Sequence, residues 1–189
     1  SAYNLTIEPN TEFAKFIPAN LPNDDLCYAM QDQIIHQLST HGFQRYETSA
    51  YAQKAHQAQH NLNYWQFGDY LGIGAGAHSK LSFHDKIIRQ SRHKHPQEYM
   101  KRILNQQQIL ENTVIQKSDL SLEFMMNALR LTNGFSNQLF SETTSLPFSQ
   151  ILPQLLSAQQ QGFLELTPTK IIPTEQGRDF LNNLLEIFM

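Results

Sequence analysis

The sequence predicts a mixed chain, α+β or α/β, in which part of a parallel sheet or barrel precedes a mostly helical domain with a winged-helix-like end. Residues 3–51 follow the order strand, loop, helix, strand, which is typical of a βαβ unit. Long helical patterns begin near residue 95, and the chain ends in helices, a short hairpin and a last helix. We therefore expect two domains, residues 1–95 and 96–189.

The first predicted strand is Tyr3–Ile7, followed by a turn at residues 8–10. A domain that begins within a strand indicates a fragment, so we expect this chain to be part of a longer one. The next element is a helix that starts at the N-cap Asn23, because Asp24 and Asp25 then face the positive end of the helix dipole.

One apolar stripe runs along this helix at intervals of four residues, which predicts a buried face. Its members are Leu26, Met30, Ile34 and Leu38. Gly42 ends the helix, and residues 43–51 are rich in β-formers and predict the second parallel strand.

The middle of the chain is polar from residue 52 to 66 and then turns apolar. Residues 70–73 predict a strand buried on both faces. Residues 81–90 predict a short antiparallel excursion from the sheet.

The second half predicts helices with clear start and stop signals. The expected elements are a helix from Pro96 to about Leu110, helices at 120–131, 136–141 and 151–161, strands at 163–166 and 170–172, and a last helix capped by Thr174. The last helix carries an apolar face formed by Phe180, Leu181, Leu184, Leu185 and Phe188.

Composition limits the possible functions. Of 189 residues, 40% are hydrophobic and 16% charged, which is typical of a globular protein, and the net charge of −3 argues against a general nucleic-acid surface. No apolar run approaches the roughly 20 residues of a membrane span. The single cysteine, Cys27, excludes an internal disulfide, and the start of the chain has no basic secretion-signal segment, so we expect a cytoplasmic location.

The segment from His60 to Trp65 concentrates an imidazole, two carboxamides, a phenol and the only tryptophan in six residues. Imidazole binds metals or transfers protons, and Tyr64 and Trp65 offer flat apolar faces with polar tips. The pattern predicts the wall of a pocket for a flat, metal-bearing or nucleotide-like ligand. For His60, the residue pattern supports ligand binding and an incidental position in a polar loop about equally. For His56, it favours the incidental position.

Gly72, Gly74 and Gly76 follow the predicted strand and resemble a phosphate-binding turn without its full spacing. Close backbone packing at a strand end is the alternative. Because ligands of parallel α/β folds lie at the carboxyl ends of strands, we expect His78 to face the site. Lys86, Arg89 and Arg92 lie in a run that could bind carboxylates or phosphates, although such runs usually form a solvated face.

Three segments of the chain carry a family resemblance. They are Leu5 to Thr11, Tyr46 to Tyr51, and the run from His60 through Gly74. The chain resembles the oxygen-independent coproporphyrinogen III oxidase-like family, and His-Asn-x-x-Tyr-Trp is the mark of its haem chaperone branch. The resemblance implies a radical S-adenosylmethionine protein with an incomplete (β/α) barrel and a helical C-terminal domain.

The resemblance also assigns residues. It implies haem binding by His60, Asn61, Tyr64 and Trp65, with His60 as the iron ligand or its near neighbour. It implies that Thr6, Gly74, Gly76 and His78 border S-adenosylmethionine. The basic run of Lys86, Arg89 and Arg92 would meet the haem propionates. Relatives often have a cysteine where this chain has Ala75.

The family's CxxxCxxC motif, which binds a [4Fe-4S] cluster, is absent. We therefore expect the C-terminal portion only, unable to cleave S-adenosylmethionine by itself. The favoured function is haem binding for transfer to an acceptor protein. The alternative is the porphyrinogen-binding half of an anaerobic coproporphyrinogen III dehydrogenase, and a winged-helix interaction module is the third hypothesis. An open barrel edge predicts dimerisation of the fragment.

Overall fold

The fold is given by a computed structural model that describes residues 1–107 and 109–189. The chain divides into two compact units, residues 1–58 and 59–189. The expected boundary near residue 95 separates a partial barrel from a helical domain and stays a prediction. Among the described residues, no helix is both long enough and apolar enough to cross a membrane.

The first unit contains two helices and one short hairpin. Its elements are α1 (Glu12–Lys15), α2 (Asp24–Thr40), β1 (Gln44–Arg45) and β2 (Tyr51–Ala52). Helix α2 begins as predicted, because the Asn23 side chain accepts a hydrogen bond from the Leu26 amide at 3.0 Å. Gly42 follows the helix with φ +79°, a conformation that favours glycine.

The apolar stripe of α2 is present but open. Leu26, Met30 and Ile34 are 52%, 47% and 37% exposed, and no residue of α2 is buried. The sequence pattern is therefore correct about the helix and wrong about its burial within the described chain.

The predicted parallel unit over residues 3–51 is wrong. Residues 3–7 form no strand, and the Ala2 amide donates to the Ser49 carbonyl of the hairpin at 2.9 Å. Strands β1 and β2 pair antiparallel with each other, and every strand pairing among the described residues is antiparallel. The Arg45 guanidinium donates to the Thr48 carbonyl at 3.0 Å and closes a tight turn, which divides the expected long strand into two short ones.

The second unit holds two three-stranded sheets and the remaining helices. Its first part is α3 (Gln59–Trp65), β3 (His78–Ser82), β4 (Ile87–Arg92), α4 (Pro96–Leu104), β5 (Ile109–Val114) and α5 (Leu120–Ala128). Its second part is β6 (Phe135–Ser136), α6 (Asn137–Thr144), a 3₁₀ turn (Phe148–Gln150), α7 (Leu152–Gln160), β7 (Leu164–Leu166), β8 (Lys170–Pro173), α8 (Glu175–Asp179) and α9 (Leu181–Glu186). The sheet orders are β3-β4-β5 and β6-β8-β7.

The first of these sheets confirms one strand prediction and corrects two other elements. The antiparallel excursion at 81–90 is the β3–β4 hairpin. The expected buried strand at 70–73 is a single bridge from Tyr70 to Lys80, and Leu71 and Ile73 are 63% and 81% exposed. Helix α4 ends at Leu104 and not near residue 110, since Gln106 adopts φ 57° and turns the chain into β5. The expected helix also crossed residue 108, which lies outside the described residues.

The winged-helix-like end is confirmed in its element order, with β6 as an unpredicted third strand. Ser136 caps α6 by accepting from the Leu139 amide, and Thr174 caps α8 by accepting from the Gly177 amide, each at 3.0 Å. The predicted last helix is divided at Phe180 into α8 and α9. Leu184 from its apolar face is fully buried.

The core of the second unit centres on Phe124, which is 0% exposed. Its ring packs edge-on against three aromatic rings, those of Phe67, Phe135 and Phe140, at centroid distances of 5.7, 5.0 and 5.2 Å. Phe67 lies two residues beyond the end of α3. The segment His60–Trp65 on α3 is therefore followed by a residue that packs into the same core as the winged-helix-like end.

Candidate functional site

The segment His60–Trp65 lies on helix α3, where residues four apart share a face. His60 and Tyr64 form the outer pair, and both are exposed, Tyr64 by 38%. Asn61 and Trp65 form the inner pair and are half-buried. The helix thus presents an imidazole and a phenol ring to solvent, while the carboxamide and the indole face the protein.

Tyr64 is the first member of a chain of side-chain contacts. Its ring packs edge-on against Tyr70 at a centroid distance of 4.6 Å. The Tyr70 hydroxyl accepts a hydrogen bond from the Arg89 guanidinium at 3.3 Å, and Arg89 is ion-paired with Glu123 of α5. Tyr64 and Arg89, two residues singled out from the sequence, are therefore linked through Tyr70.

Trp65 packs inward. The Arg130 guanidinium lies over its indole ring, 4.7 Å from the centroid, in a cation–π contact. The indole Nε1 is buried and has no hydrogen-bond partner among the described residues. Trp65 therefore fixes α3 against the end of α5, and its flat face is occupied by Arg130.

The turn after α3 is held by Lys80 of strand β3. Lys80 is only 2% exposed, and its ammonium donates to the Phe67 carbonyl at 2.9 Å and to the Asp69 carboxylate and the Ser82 hydroxyl at 3.1 Å each. Phe67 has φ 60°, and the Gly68 that follows packs so closely on Asn63 that a Cβ there would overlap its carboxamide. The end of α3 is consequently a tightly specified turn.

The charges of this turn shift each other's pKa. Burial lowers the pKa of the Lys80 ammonium, and the Asp69 carboxylate offsets part of that effect. Burial alone would raise the pKa of Asp69, but hydrogen bonds from the Ser82 amide and hydroxyl, together with the Lys80 ammonium, outweigh it and leave this pKa below its ordinary value.

The glycine run is a packed connection whose amides have partners within the chain. The Gly72 amide donates to the Ser79 hydroxyl at 2.9 Å, the Gly74 amide to the Tyr99 hydroxyl at 3.1 Å, and the Gly76 amide to the His93 carbonyl at 2.9 Å. These contacts favour the close-packing interpretation over a phosphate-binding turn.

The basic run does not converge on one point. Arg89 contacts Tyr70 and Glu123, whereas the Arg92 guanidinium donates to the Gly72 carbonyl at 2.7 Å. Lys86 is exposed at the end of the β3–β4 hairpin.

The two residues expected to border S-adenosylmethionine besides the glycines lie in different units. Thr6 is exposed in the first unit, outside any helix or strand. His78 is exposed at the start of β3 and lines a cavity of about 430 Å³ together with Arg89, Glu111 and Asp119.

Metal-ligand clusters of three or more His, Cys, Asp or Glu are absent from residues 1–107 and 109–189. Cys27 is the only thiol of the chain. His56 precedes α3, so it does not share a helical face with His60. An iron bound at His60 would thus have one imidazole of this chain as its protein ligand.

Four contact residues were not found from the sequence: Tyr70, Lys80, Glu123 and Arg130. Lysine is almost never fully buried, so no pattern around Lys80 signals its position. Arg130 and Glu123 are far from α3 in sequence; Arg130 lies over Trp65 of α3, whereas Glu123 is ion-paired with Arg89 of β4. Tyr70 carried a signal, because it belongs to the aromatic-rich stretch that follows Trp65.

Comparison with known proteins gives one family model and several relatives. Residues 115–180 match the model described as the HemN C-terminal domain. The chain is 44% identical to the "Heme chaperone HemW" of Haemophilus influenzae, over 100% of this chain and 48% of that protein. It is also 44% identical to the "Heme chaperone HemW" of Escherichia coli, over 100% of this chain and 49% of that protein. The chain spans about half the length of the curated relatives it matches.

One solved structure shares the fold. It is the coproporphyrinogen III oxidase HemN from Escherichia coli, described as a radical SAM enzyme, with a TM-score of 0.64 at 16% sequence identity. The match covers 90% of this chain and 42% of that one. This likeness confirms the predicted mixed α/β class and the expectation of a partial fold.

Proposed function

We propose that this chain, which is 44% identical to two heme chaperone HemW proteins over about half of their length and matches the HemN C-terminal domain over residues 115–180, binds haem through His60 and holds it for transfer. The observation that carries the proposal is the outer face of α3. It presents an exposed imidazole one helical turn from an exposed phenol ring.

The residues on this face fit haem as a cargo. A neutral imidazole nitrogen is a common axial ligand of haem iron. In the part of the chain that the structure describes, the His60 ring has no hydrogen-bond partner, so iron would displace no existing contact. Tyr64 adds an aromatic face beside it, whereas Trp65 is already covered by Arg130.

The exposure of His60, the proposed iron ligand, is consistent with a protein that passes haem on to another protein. A haem bound at the outer face of a helix keeps its opposite face accessible, so an acceptor protein's own ligand can approach the iron before His60 leaves it. We propose an acceptor protein as the partner on this ground. The cytoplasmic location expected from the single cysteine stays a prediction.

The propionate contacts stay a prediction as well. Arg89 would have to exchange Glu123 for a propionate, and Arg92 would have to release the Gly72 carbonyl. Lys86 is exposed and would lose no ion pair of the described residues.

A [4Fe-4S] cluster does not fit the residues present, because such clusters need several thiolates and the chain has one cysteine. We therefore place the cluster and cleavage of S-adenosylmethionine in the longer parent protein and derive no step through them. The roles of Thr6, Gly74, Gly76 and His78 beside S-adenosylmethionine stay predictions.

A hemin titration tests the proposal. The wild-type chain should develop a saturable Soret band, and His60→Ala should weaken the affinity at least tenfold, the scale expected for loss of a metal ligand or its support. His36→Ala is the matched control, because His36 is also an exposed histidine on a helix. Equal binding by wild type and His60→Ala would contradict the proposal, and so would equal losses in both variants.

A further inference from the structure

We propose that Lys80 is a positioning residue for the haem-binding helix: its buried ammonium fixes the end of α3 to strand β3 and so sets the position of His60 and Tyr64. The inference deepens the proposed function and rests on it. It concerns a residue outside the His-Asn-x-x-Tyr-Trp motif, 20 residues after His60.

The first support is the number and type of contacts. The three acceptors of the Lys80 ammonium are a backbone carbonyl, a carboxylate and a hydroxyl, which satisfy its three donors. The ammonium also lies 4.0 Å from the centroid of the Phe67 ring, a cation–π contact. A buried charge with this complete set of partners has one well-defined position.

The second support is where these partners lie. The Phe67 carbonyl is two residues beyond the last helical residue of α3, and the Phe67 ring reaches the core at Phe124. Asp69 accepts from the Ser82 amide and hydroxyl at 2.9 and 2.7 Å, which ties the same turn to the end of β3. Lys80 therefore joins the end of α3 to the sheet at two points.

The third support connects Lys80 to the exposed face. The backbones of Lys80 and Tyr70 exchange two hydrogen bonds, of 3.0 and 3.1 Å. The Tyr70 ring in turn packs edge-on against Tyr64, one helical turn from His60. Displacement of the Lys80 bridge would thus move the aromatic neighbour of the proposed iron ligand.

Energetics favour a positioning role over a stabilising one. Burial of an ion carries a large desolvation cost, and well-packed apolar residues often replace buried ion pairs without loss of stability. The Lys80 ammonium, in a residue that is 2% exposed, therefore contributes more to geometry than to stability. The geometry that it specifies is the left-handed turn at Phe67, beyond the end of α3.

Lys80→Met is the test, measured by hemin titration below the melting transition of each variant. We expect hemin affinity to fall about tenfold, the scale of changes around metal ligands. At saturating hemin, the Soret position should also shift, because imidazole ligation becomes incomplete. The spectrum of the saturated complex is a readout that a loss of overall stability would not change.

Arg178→Met is the matched control. Arg178 also donates to a backbone carbonyl, that of Pro173 at 2.8 Å, but it does so in the winged-helix-like end. This variant should bind hemin as wild type does. Equal loss in both variants would overturn the inference, because general destabilisation would then explain the effect.

Asp69→Asn is the second variant, to be used if Lys80→Met does not fold, because it removes the carboxylate that pairs with the Lys80 ammonium. The Asp69 side chain is 44% exposed, so its loss should be tolerated, and hemin affinity should fall about threefold, the scale of a partly exposed ion pair. Unchanged affinity and spectrum in the folded variant would overturn the inference. Failure of the proposed function gives a different result, in which His60→Ala itself binds hemin normally.

Discussion

Asp69 and Lys80 show how single residues specify the site at the scale of the side chain. The carboxylate and the ammonium share the Ser82 hydroxyl, and the ammonium also holds the Phe67 carbonyl. Since the pKa of Asp69 is lowered in the folded chain, the folded state binds fewer protons there than the unfolded state.

The sign of the pH dependence follows from that difference. The contribution of Asp69 to the free energy of unfolding is fully present above the unfolded pKa of about 4, and it is lost as the pH falls through the lower folded pKa. Urea unfolding of wild type and Asp69→Asn should therefore differ most above the unfolded pKa of about 4 and converge as the pH falls through the lower folded pKa. A difference that stays constant over this range would contradict the assigned pKa shift.

The sequence predicted functional residues where unusual side chains are close together along the chain. His60, Asn61, Tyr64 and Trp65 were found because they are adjacent in sequence and chemically unusual together. Their division into an exposed and a half-buried pair depended on α3 being helical. Lys80 was missed because its acceptors come from two separate segments, residues 67–69 and Ser82.

At the scale of elements, the connection between α5 and β6 illustrates a glycine with no substitute. Gly134 has φ +63°, and a Cβ there would overlap the carbonyl oxygen of Ile171 on the paired strand β8. Gly162 has a similar φ of +80°, but only the flexible end of Gln176 approaches it, at 3.1 Å.

The two glycines give a paired prediction for alanine substitution. Gly134→Ala should lower the free energy of unfolding by roughly 2–5 kcal/mol, the sum of left-handed strain and overpacking. Gly162→Ala should cost only the strain, about 1–2 kcal/mol. Urea denaturation followed by circular dichroism measures both, and equal losses would show that the close approach to Ile171 is unimportant.

Elements were predicted well where start and stop signals are local. The Asn23, Ser136 and Thr174 caps lie at helix starts, and the strands near 164–166 and 170–173 stand at the predicted places. Prediction failed where β-formers suggested strands without a partner, as in residues 3–7, and where one left-handed residue, Gln106, ended a helix. A strand needs hydrogen bonds from an adjacent strand, and a short stretch of sequence does not show whether that adjacent strand is present.

At the scale of the whole molecule, the first unit has exposed apolar side chains and the second has an exposed edge strand. Leu26 and Met30 on α2 are about half exposed, and every described residue of β5 is exposed at the edge of its sheet. Surfaces of this kind favour association.

We expect this chain to form a dimer, measured by size-exclusion chromatography with light scattering. Met30→Lys should raise the monomer fraction if the α2 stripe takes part, whereas Ser39→Lys, on the opposite face of the same helix, should not. A wild-type chain that remains monomeric across the accessible concentration range would contradict the prediction.

The relation to longer relatives could be predicted from the sequence because one cysteine excludes a cluster motif. The chain covers 48% of the HemW protein of Haemophilus influenzae and 49% of that of Escherichia coli. A chain with one cysteine does not supply the thiolates of a [4Fe-4S] cluster, and the role proposed for these residues is haem binding at α3.

Replacement of the imidazole of His60 by a thiolate tests whether this side chain binds the haem iron. In a Cys27→Ala background, His60→Cys places the chain's only thiol at the proposed iron ligand. Electron paramagnetic resonance of the hemin complex should then change from an imidazole to a thiolate signature, since the axial ligand sets the electronic state of the iron. A spectrum identical to that of Cys27→Ala alone would show that the iron is bound elsewhere and would contradict haem binding by His60.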